Sequence, residues 1–265
     1  MKTIFITGAS TGLGKATAKL FAANGWKVIA TMRRPENERE LNLIDNITLL
    51  PLDVTNPDQI KETSQKAIAS GNIDVVFNNA GYGLIGPMET VTDEQLVRQL
   101  DTNVLGVIRV TQAFIPYFRQ KQNGLFISTT SIGGLITFPF SSVYHASKWA
   151  LEGWSESLAF ELNKFGIAIK TISPGGIKTD FVGRSLDTTS HPAYAKWVEK
   201  LYAGFSEDNF TPAEQIADVV YEAATDGKDK LRYIAGEDAK ALYAQRLKLG
   251  DEAFRKEFDH HFFGN

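Results

Sequence analysis

Apolar positions along this chain follow two rhythms. Short β-branched or apolar runs at 3–7, 27–31, 47–51, 73–78, 125–129, 168–173 and 232–235 read as strands. Between them lie about six longer segments with the 3.6-residue spacing of helices. Strands separated by helix-length insertions need crossover connections, which implies a parallel sheet with helices on both faces. The order predicts an α/β fold of the doubly wound, Rossmann type with about seven strands. No long linker, charge block, low-complexity tract or repeat interrupts it, so 1–265 reads as a single domain. Only 180–212 breaks the alternation: Gly183, Pro192, Gly204 and Pro212 lie among Phe181, Tyr194, Trp197, Tyr202, Phe205 and Phe210. That stretch is expected to be an inserted lid over a substrate site. The tail, 236–265, reads as a helical extension, with Phe254, Phe258, Phe262 and Phe263 at helix-like spacing; pocket closure and packing on another subunit are both open to it.

Composition narrows the function classes. A formal charge of −3 gives no electrostatic reason to expect nucleic acid or an anionic membrane as partner. No apolar run approaches the ~20 residues that span a bilayer, and Lys2 is followed only by Thr-Ile-Phe-Ile-Thr before Gly8, so neither a signal peptide nor an anchor is expected. The absence of cysteine excludes disulfides, thiolate metal sites and thiol catalysis. A cytoplasmic location is the default expectation.

The first strand runs into Thr7-Gly8-Ala9-Ser10-Thr11-Gly12-Leu13-Gly14-Lys15-Ala16, and a helical pattern follows to Asn24-Gly25. Strand, glycine turn and helix form the context in which backbone N–H groups approach a pyrophosphate at the positive end of a helix dipole. The spacing here is G-x-x-x-G-x-G rather than the commoner G-x-G-x-x-G. Farther on, Tyr144-His145-Ala146-Ser147-Lys148 places a phenol and an amine four residues apart, on one face of a helix and roughly 6 Å apart along its axis. A nearby cation is expected to lower the phenol pKa from about 10 and make it a usable acid/base. His145 projects about 100° away on the helix and reads as a packing or surface residue. A Ser-His-Asp hydrolase lacks its nucleophile elbow here. His260-His261 do not converge on a metal, so none is expected.

Taken together, Thr7-Gly8-xxx-Gly12-x-Gly14, Asn78-Asn79-Ala80-Gly81, Asn103, Ser131, Tyr144-xxx-Lys148 and Pro174-Gly175-Gly176 resemble the short-chain dehydrogenase/reductase family in its simple-reductase branch, over about residues 3–180. The resemblance implies that Ser131 holds a carbonyl oxygen and that Tyr144 exchanges the proton. It gives Lys148 two tasks, tuning Tyr144 and reaching the nicotinamide ribose, while Asn103 relays protons through water. Further cofactor contacts are implied for Gly8, Ser10, Thr11, Gly12, Leu13 and Gly14 in the turn and for Asn79, Ala80 and Gly81 beside the ribose. Asp53 with Val54 would contact the adenine, and Pro174, Gly175, Ile177 and Thr179 would hold the nicotinamide. Asp53 as a cap for the helix starting near Asn56 is the alternative. At the end of the second strand, Arg33 and Arg34 stand beside Thr31, where NAD-preferring relatives carry Asp. Arginine matches a 2′-phosphate, so NADP(H) is expected, with NAD(H) possible through Glu36. Relatives commonly pair through helices near 109–120 and 142–164, so a homodimer or homotetramer is expected.

The expected function is hydride transfer between NADP(H) and a carbonyl or secondary alcohol. The aromatics of 180–212, with Tyr82, Leu84, Ile85, Leu135, Ile136, Phe138 and Phe140, point to a hydrophobic small-molecule substrate, unless they are ordinary core. A non-catalytic NADP(H)-sensing regulator is the competing class, and the intact Ser-Tyr-Lys set argues against it.

Overall fold

The computed structural model describes residues 1–178, 186–203 and 210–264. Seven strands form one parallel sheet: β1 (Thr3–Ile6), β2 (Lys27–Met32), β3 (Ile47–Pro51), β4 (Val75–Asn78), β6 (Gly124–Thr129), β7 (Ile167–Pro174) and β11 (Arg232–Ala235). Their spatial order is β11-β7-β6-β4-β1-β2-β3. All seven strands lie within about two residues of where the apolar runs put them. The chain first builds outward from β1 to β3 and then returns to the other side at β4, so the strand order reverses between β1 and β4. Ligands of open α/β sheets bind at the carboxyl ends of strands flanking such a reversal.

Alternate residues of each strand enter two separate cores. Ile4, Ile6, Val28, Ala30, Phe77, Ile127 and Ile172 face α1 (Gly12–Ala23) and α7 (Ala213–Thr225). Phe5, Ile29, Val76, Phe126 and Ile169 face α2 (Pro57–Ala69), α4 (Gly106–Lys121) and α5 (Ser142–Leu162). Strands buried on both faces show apolar runs instead of alternation, which is why the sequence displays them so plainly.

Four short strands stand outside the sheet. β5 (Gly83–Ile85) pairs in parallel with β9 (Leu186–Thr188), and β8 (Ile177–Lys178) with β10 (Thr211–Pro212). Of the segment expected to form a lid, 186–188 is therefore strand, 192–194 a tight helical turn, and Ala195–Ala203 helix α6. Phe181, Gly183, Gly204 and Phe205 lie outside the described residues. The tail forms two helices, α8 (Glu237–Leu249) and α9 (Asp251–Phe263). Phe254 and Phe258 of α9 pack with Ile132, Leu135, Ile136 and Phe138 in a third core. α3 (Asp93–Leu100) joins α4 through one π-helical turn, Asp101–Leu105. Among the described residues no helix is long and apolar enough to cross a membrane.

Candidate active site

The glycine turn closes on itself. Gly8 and Gly12 have φ of +68° and +53°, which L side chains resist. A β-carbon on Gly14 would stand 2.3 Å from the Gly8 carbonyl oxygen. Asn79 locks the turn from the neighbouring strand: its Nδ2 donates to the carbonyls of Thr7 and Gly8 at 3.2 and 3.1 Å. Thr7 Oγ1 in turn accepts from the N–H groups of Asn79 and Ala80. The Asn-Asn-Ala-Gly loop is thus bonded directly to the phosphate-binding candidate. Helix α1 begins with neither a side-chain cap nor an acidic residue in its first turn, so its leading N–H groups are available to an anion.

Above that helix end lies a cavity of about 420 Å³ lined by Ser10, Thr11, Gly12, Lys15, Asn37, Glu38, Arg39 and Glu40. A dinucleotide's phosphates and adenosine ribose suit it: uncapped N–H donors at one side, hydroxyls and cations at the other. Leu13 is buried in the core and contributes packing. Arg33 and Arg34 are exposed on the turn after β2 and do not line the cavity. Thr31 is turned inward, its hydroxyl donating to Ile6 O at 2.9 Å. The sequence reading missed Lys15, Asn37, Glu38, Arg39 and Glu40. The buried Glu38 accepts from the N–H groups of Arg39, Glu40 and Leu41 and pairs with Lys15 at 3.1 Å, shaping the cavity floor. Only Lys15, inside the glycine motif, carried any positional signal.

Asp53 is not the cap of α2. Its carboxylate folds back onto the N–H and hydroxyl of Thr55 at 2.9 and 2.7 Å, while Asn56 caps the helix by accepting from Gln59 N. Val54 packs in the second core, close against Gly106.

Ser131, Tyr144 and Lys148 meet at the carboxyl edge of the sheet. Ser131 follows β6, and its hydroxyl lies on the Tyr144 phenol side of the turn, close enough to favour the phenolate. Gly133 N donates to Ser131 Oγ at 3.0 Å. Lys148, one helical turn after Tyr144 on α5, is buried; its Nζ donates to Thr129 O at 3.0 Å and lies 5.8 Å from the Tyr144 ring centre. The electrostatics differ from expectation. Burial pushes the Tyr144 phenol above its ordinary pKa, with the Ser131 hydroxyl acting the other way. Burial also lowers Lys148 itself to about 8, against the pull of Glu152. Desolvation disfavours both charged forms, and it is the leading influence on each group.

Asn103 sits in the π-helical turn, the position where such turns concentrate function. Its Oδ1 accepts from Tyr82 N at 3.0 Å, and its Nδ2 donates to Tyr82 O at 2.9 Å and to Ser147 Oγ at 3.2 Å. It is a two-way clamp between the loop after β4 and helix α5. A β-carbon on Gly81 would lie 3.1 Å from Asn103 Oδ1 and 3.8 Å from Lys148 Nζ, so Gly81 lets the two polar groups approach one another.

The Pro174-Gly175-Gly176 turn is held by the end of β11 and the start of the tail. Gly175 N donates to Ala235 O at 3.0 Å and Gly176 N to Asp238 Oδ2 at 2.8 Å. Side chains at these glycines would collide with Asp238 and Phe210. Ile177 lies in β8; Thr179 lies outside the described residues. His145 is the packing residue expected of its helix position, buried and bonded to Gly133 and Phe138. Among the described residues no cluster of metal ligands occurs.

The short chain dehydrogenase family model matches residues 2–190. An uncharacterized oxidoreductase from Schizosaccharomyces pombe is 38% identical over 226 residues, covering 84% of this chain and 96% of its own. A short-chain dehydrogenase structure from Streptomyces avermitilis superposes with a TM-score of 0.84 at 31% identity, covering 98% of this chain and 96% of that one. The structure of ElxO with NADP bound matches with a TM-score of 0.76 at 26% identity, over 91% of this chain and 99% of that one. The chain belongs to the short-chain dehydrogenase family. It is accordingly a nucleotide-binding oxidoreductase.

Proposed function

We propose that this protein interconverts a carbonyl and a secondary alcohol on a small hydrophobic molecule, using NADP(H). The observation that carries the reading is the gathering of Ser131, Tyr144 and Lys148 at the carboxyl edge of the sheet, joined to the glycine turn through the loop that runs from Asn79 to Gly81. Bound there, a nicotinamide dinucleotide supplies the hydride that a carbonyl carbon takes up, or accepts it from the alcohol. Ser131 Oγ holds the substrate oxygen, and Tyr144 donates its proton to that oxygen as charge develops. A phenol raised above its ordinary pKa is protonated at neutral pH, which suits reduction. Lys148 spends one of its three donors on Thr129 O, leaving others for ribose hydroxyls. Asn103 ties the loop after β4 to the helix that carries Lys148.

Arg39 at the cavity, with Arg33 and Arg34 on the adjoining turn, supports a 2′-phosphate, because Lys15 is already engaged by Glu38 and Glu40. The NADP bound by ElxO supports the same preference. An apolar substrate is supported by the rings around the catalytic loop: Phe140 meets Tyr194 and Phe263 edge-on at 6.0 and 6.3 Å, and Trp197 meets Phe263 at 5.6 Å.

The test is a panel of apolar ketones and secondary alcohols assayed with NADPH and NADH, on the wild type and on Tyr144→Phe. The expected result is turnover favouring NADPH by roughly tenfold or more. The variant should lose about 10²–10⁴-fold in kcat while binding NADPH almost as before. Undiminished turnover in Tyr144→Phe would sink the assignment; equal use of both cofactors would remove the NADP(H) preference alone.

A further inference from the structure

Between Ser131 and Tyr144 the chain leaves the sheet and turns back into α5, and one side chain of that helix grips the turn at two points. His145 Nδ1 lies 2.6 Å from the Gly133 carbonyl oxygen, and Nε2 accepts from Phe138 N–H at 2.8 Å. A carbonyl only accepts and a backbone N–H only donates, so the proton is assigned to Nδ1 and the ring is neutral. The ring is 4% exposed, stacked on Phe138 at 5.8 Å and meeting the Tyr144 ring edge-on at 5.9 Å. Gly133 connects this grip to the chemistry: its carbonyl accepts the hydrogen bond from His145 Nδ1–H while its N–H donates to Ser131 Oγ. A β-carbon at 133 would stand 3.0 Å from the imidazole and 3.3 Å from Ser131 Oγ, so the peptide is pinched between them.

We propose that His145 is a positioning residue for the reaction: its neutral ring, bonded at both nitrogens, fixes the 133–138 turn so that Gly133 N–H holds Ser131 Oγ against the Tyr144 phenol. The inference rests on the reading of Ser131, Tyr144 and Lys148 given above. A second proton on the ring would go to Nε2 and face the Phe138 N–H, donor against donor. The bond to Phe138 would then be lost and the turn released. Burial holds the imidazole below its ordinary pKa, with the bond to the Gly133 carbonyl acting the other way. The titratable groups around it are Tyr144 and Lys148 on its own helix. The turn faces it with Ser131, Gly133 and Phe138, and α9 with Phe258 behind Phe138 at 5.4 Å. None of these is an acid that would hold a second proton in place.

Three variants separate positioning from bulk packing. His145→Phe keeps a ring and loses both bonds; its kcat should fall about 10- to 100-fold, the range expected when buried backbone partners lose 1–3 kcal/mol of hydrogen bonding, with NADPH binding unchanged. His145→Asn can still donate to Gly133 O and cannot take up a proton. It should recover most of the kcat and lack the acid-side fall in kcat/KM that the wild type shows as His145 titrates. His145→Gln, which reaches toward Phe138 instead, should recover less. Wild-type kcat in His145→Phe, or an acid limb in His145→Asn identical to that of the wild type, would overturn the proposal. If His145→Phe does not fold, the His145→Asn pH profile decides. Full activity in His145→Phe beside a dead Tyr144→Phe would defeat this inference alone; an active Tyr144→Phe would defeat the reading beneath it.

Discussion

Lys148 shows how a single residue trades stability for chemistry. Its ammonium is 6% exposed, has Thr129 O as its hydrogen-bond acceptor, and is lowered by burial from an ordinary 10.5 to about 8. The folded state therefore holds fewer protons than the unfolded chain between about pH 8 and 10.5, so this group's contribution to stability rises with pH across that window. Below pH 8 the protein carries the full cost of a buried cation, roughly 3 kcal/mol at ~1.4 kcal/mol per tenfold. Lys148→Met keeps the volume and removes the charge. It should abolish turnover and raise stability at pH 7 by about 1–3 kcal/mol, an advantage that shrinks as pH approaches 10.5. Denaturant unfolding of both proteins at pH 7 and pH 10 reads the difference directly; a variant less stable at pH 7 would show that the hydrogen bond to Thr129 outweighs desolvation. The pairing with Tyr144 was legible from four-residue spacing only in company with the glycine turn, Ser131 and the Asn-Asn-Ala-Gly loop. The direction of the Tyr144 shift was not, since it depends on how much water the fold removes.

At the scale of elements, what the sequence displayed were strands buried on both faces and helices with one apolar stripe, because those patterns follow from local geometry. What it concealed were contacts between distant segments. Nothing in the run at 232–235 or the helix before it foretold that Asp238 would hold the Gly176 N–H, or that β5 would gain a partner from 186–188. The cavity wall beside Arg39 was hidden likewise, because Glu38 shapes it through hydrogen bonds that no periodicity records. Lys170 is the sharpest case. It lies in the middle of β7, where the strand pattern promises apolar side chains, yet its Nζ donates to Ala223 O, Asp226 Oδ1 and the Tyr233 hydroxyl at 2.8, 2.7 and 3.1 Å. Tyr233 OH completes the ring by donating to Asp226 Oδ2 at 2.6 Å. This network ties the end of α7 to β7 and β11, below the turn expected to hold the nicotinamide. Burial by itself would raise the Asp226 pKa, but the bonds from Lys170, Tyr233 and Lys228 N bring it down to about 2. The stabilisation is thus present above about pH 3.8 and lost as pH falls through 2. Asp226→Ala leaves the Lys170 ammonium buried without a counter-charge and should cost about 3–5 kcal/mol. Lys170→Met combined with Asp226→Leu should recover much of that loss. A single variant as stable as the wild type in urea unfolding would remove the clamp from the account of the fold.

For the whole molecule, the surface of α5 opposite its core face needs an explanation. Trp149 is 44% and Phe160 73% exposed, and 149, 153 and 160 fall on one helical stripe. A β-carbon on Gly153, between them, would meet nothing within 4 Å, so the stripe is flat at its centre. Leu100 and Leu105, at the two ends of the π-helical turn, are 41% and 42% exposed. An aromatic stripe with a glycine at its middle suits close approach of an identical helix, the isologous contact of a two-fold dimer. The same helix carries Tyr144 and Lys148 on its inner face, so covering the outer face would stiffen the platform that aligns them. We therefore expect a homo-oligomer in solution, paired through α5 and reduced to monomers by Trp149→Glu with Phe160→Glu. These changes leave the core untouched, so the monomer should stay folded. Its kcat should fall several-fold while the circular dichroism spectrum is unchanged. Light scattering behind size-exclusion chromatography distinguishes the outcomes: a monomeric wild type, or a double variant that stays oligomeric, would rule out α5 as the contact and leave the stripe to some other surface of the same protein.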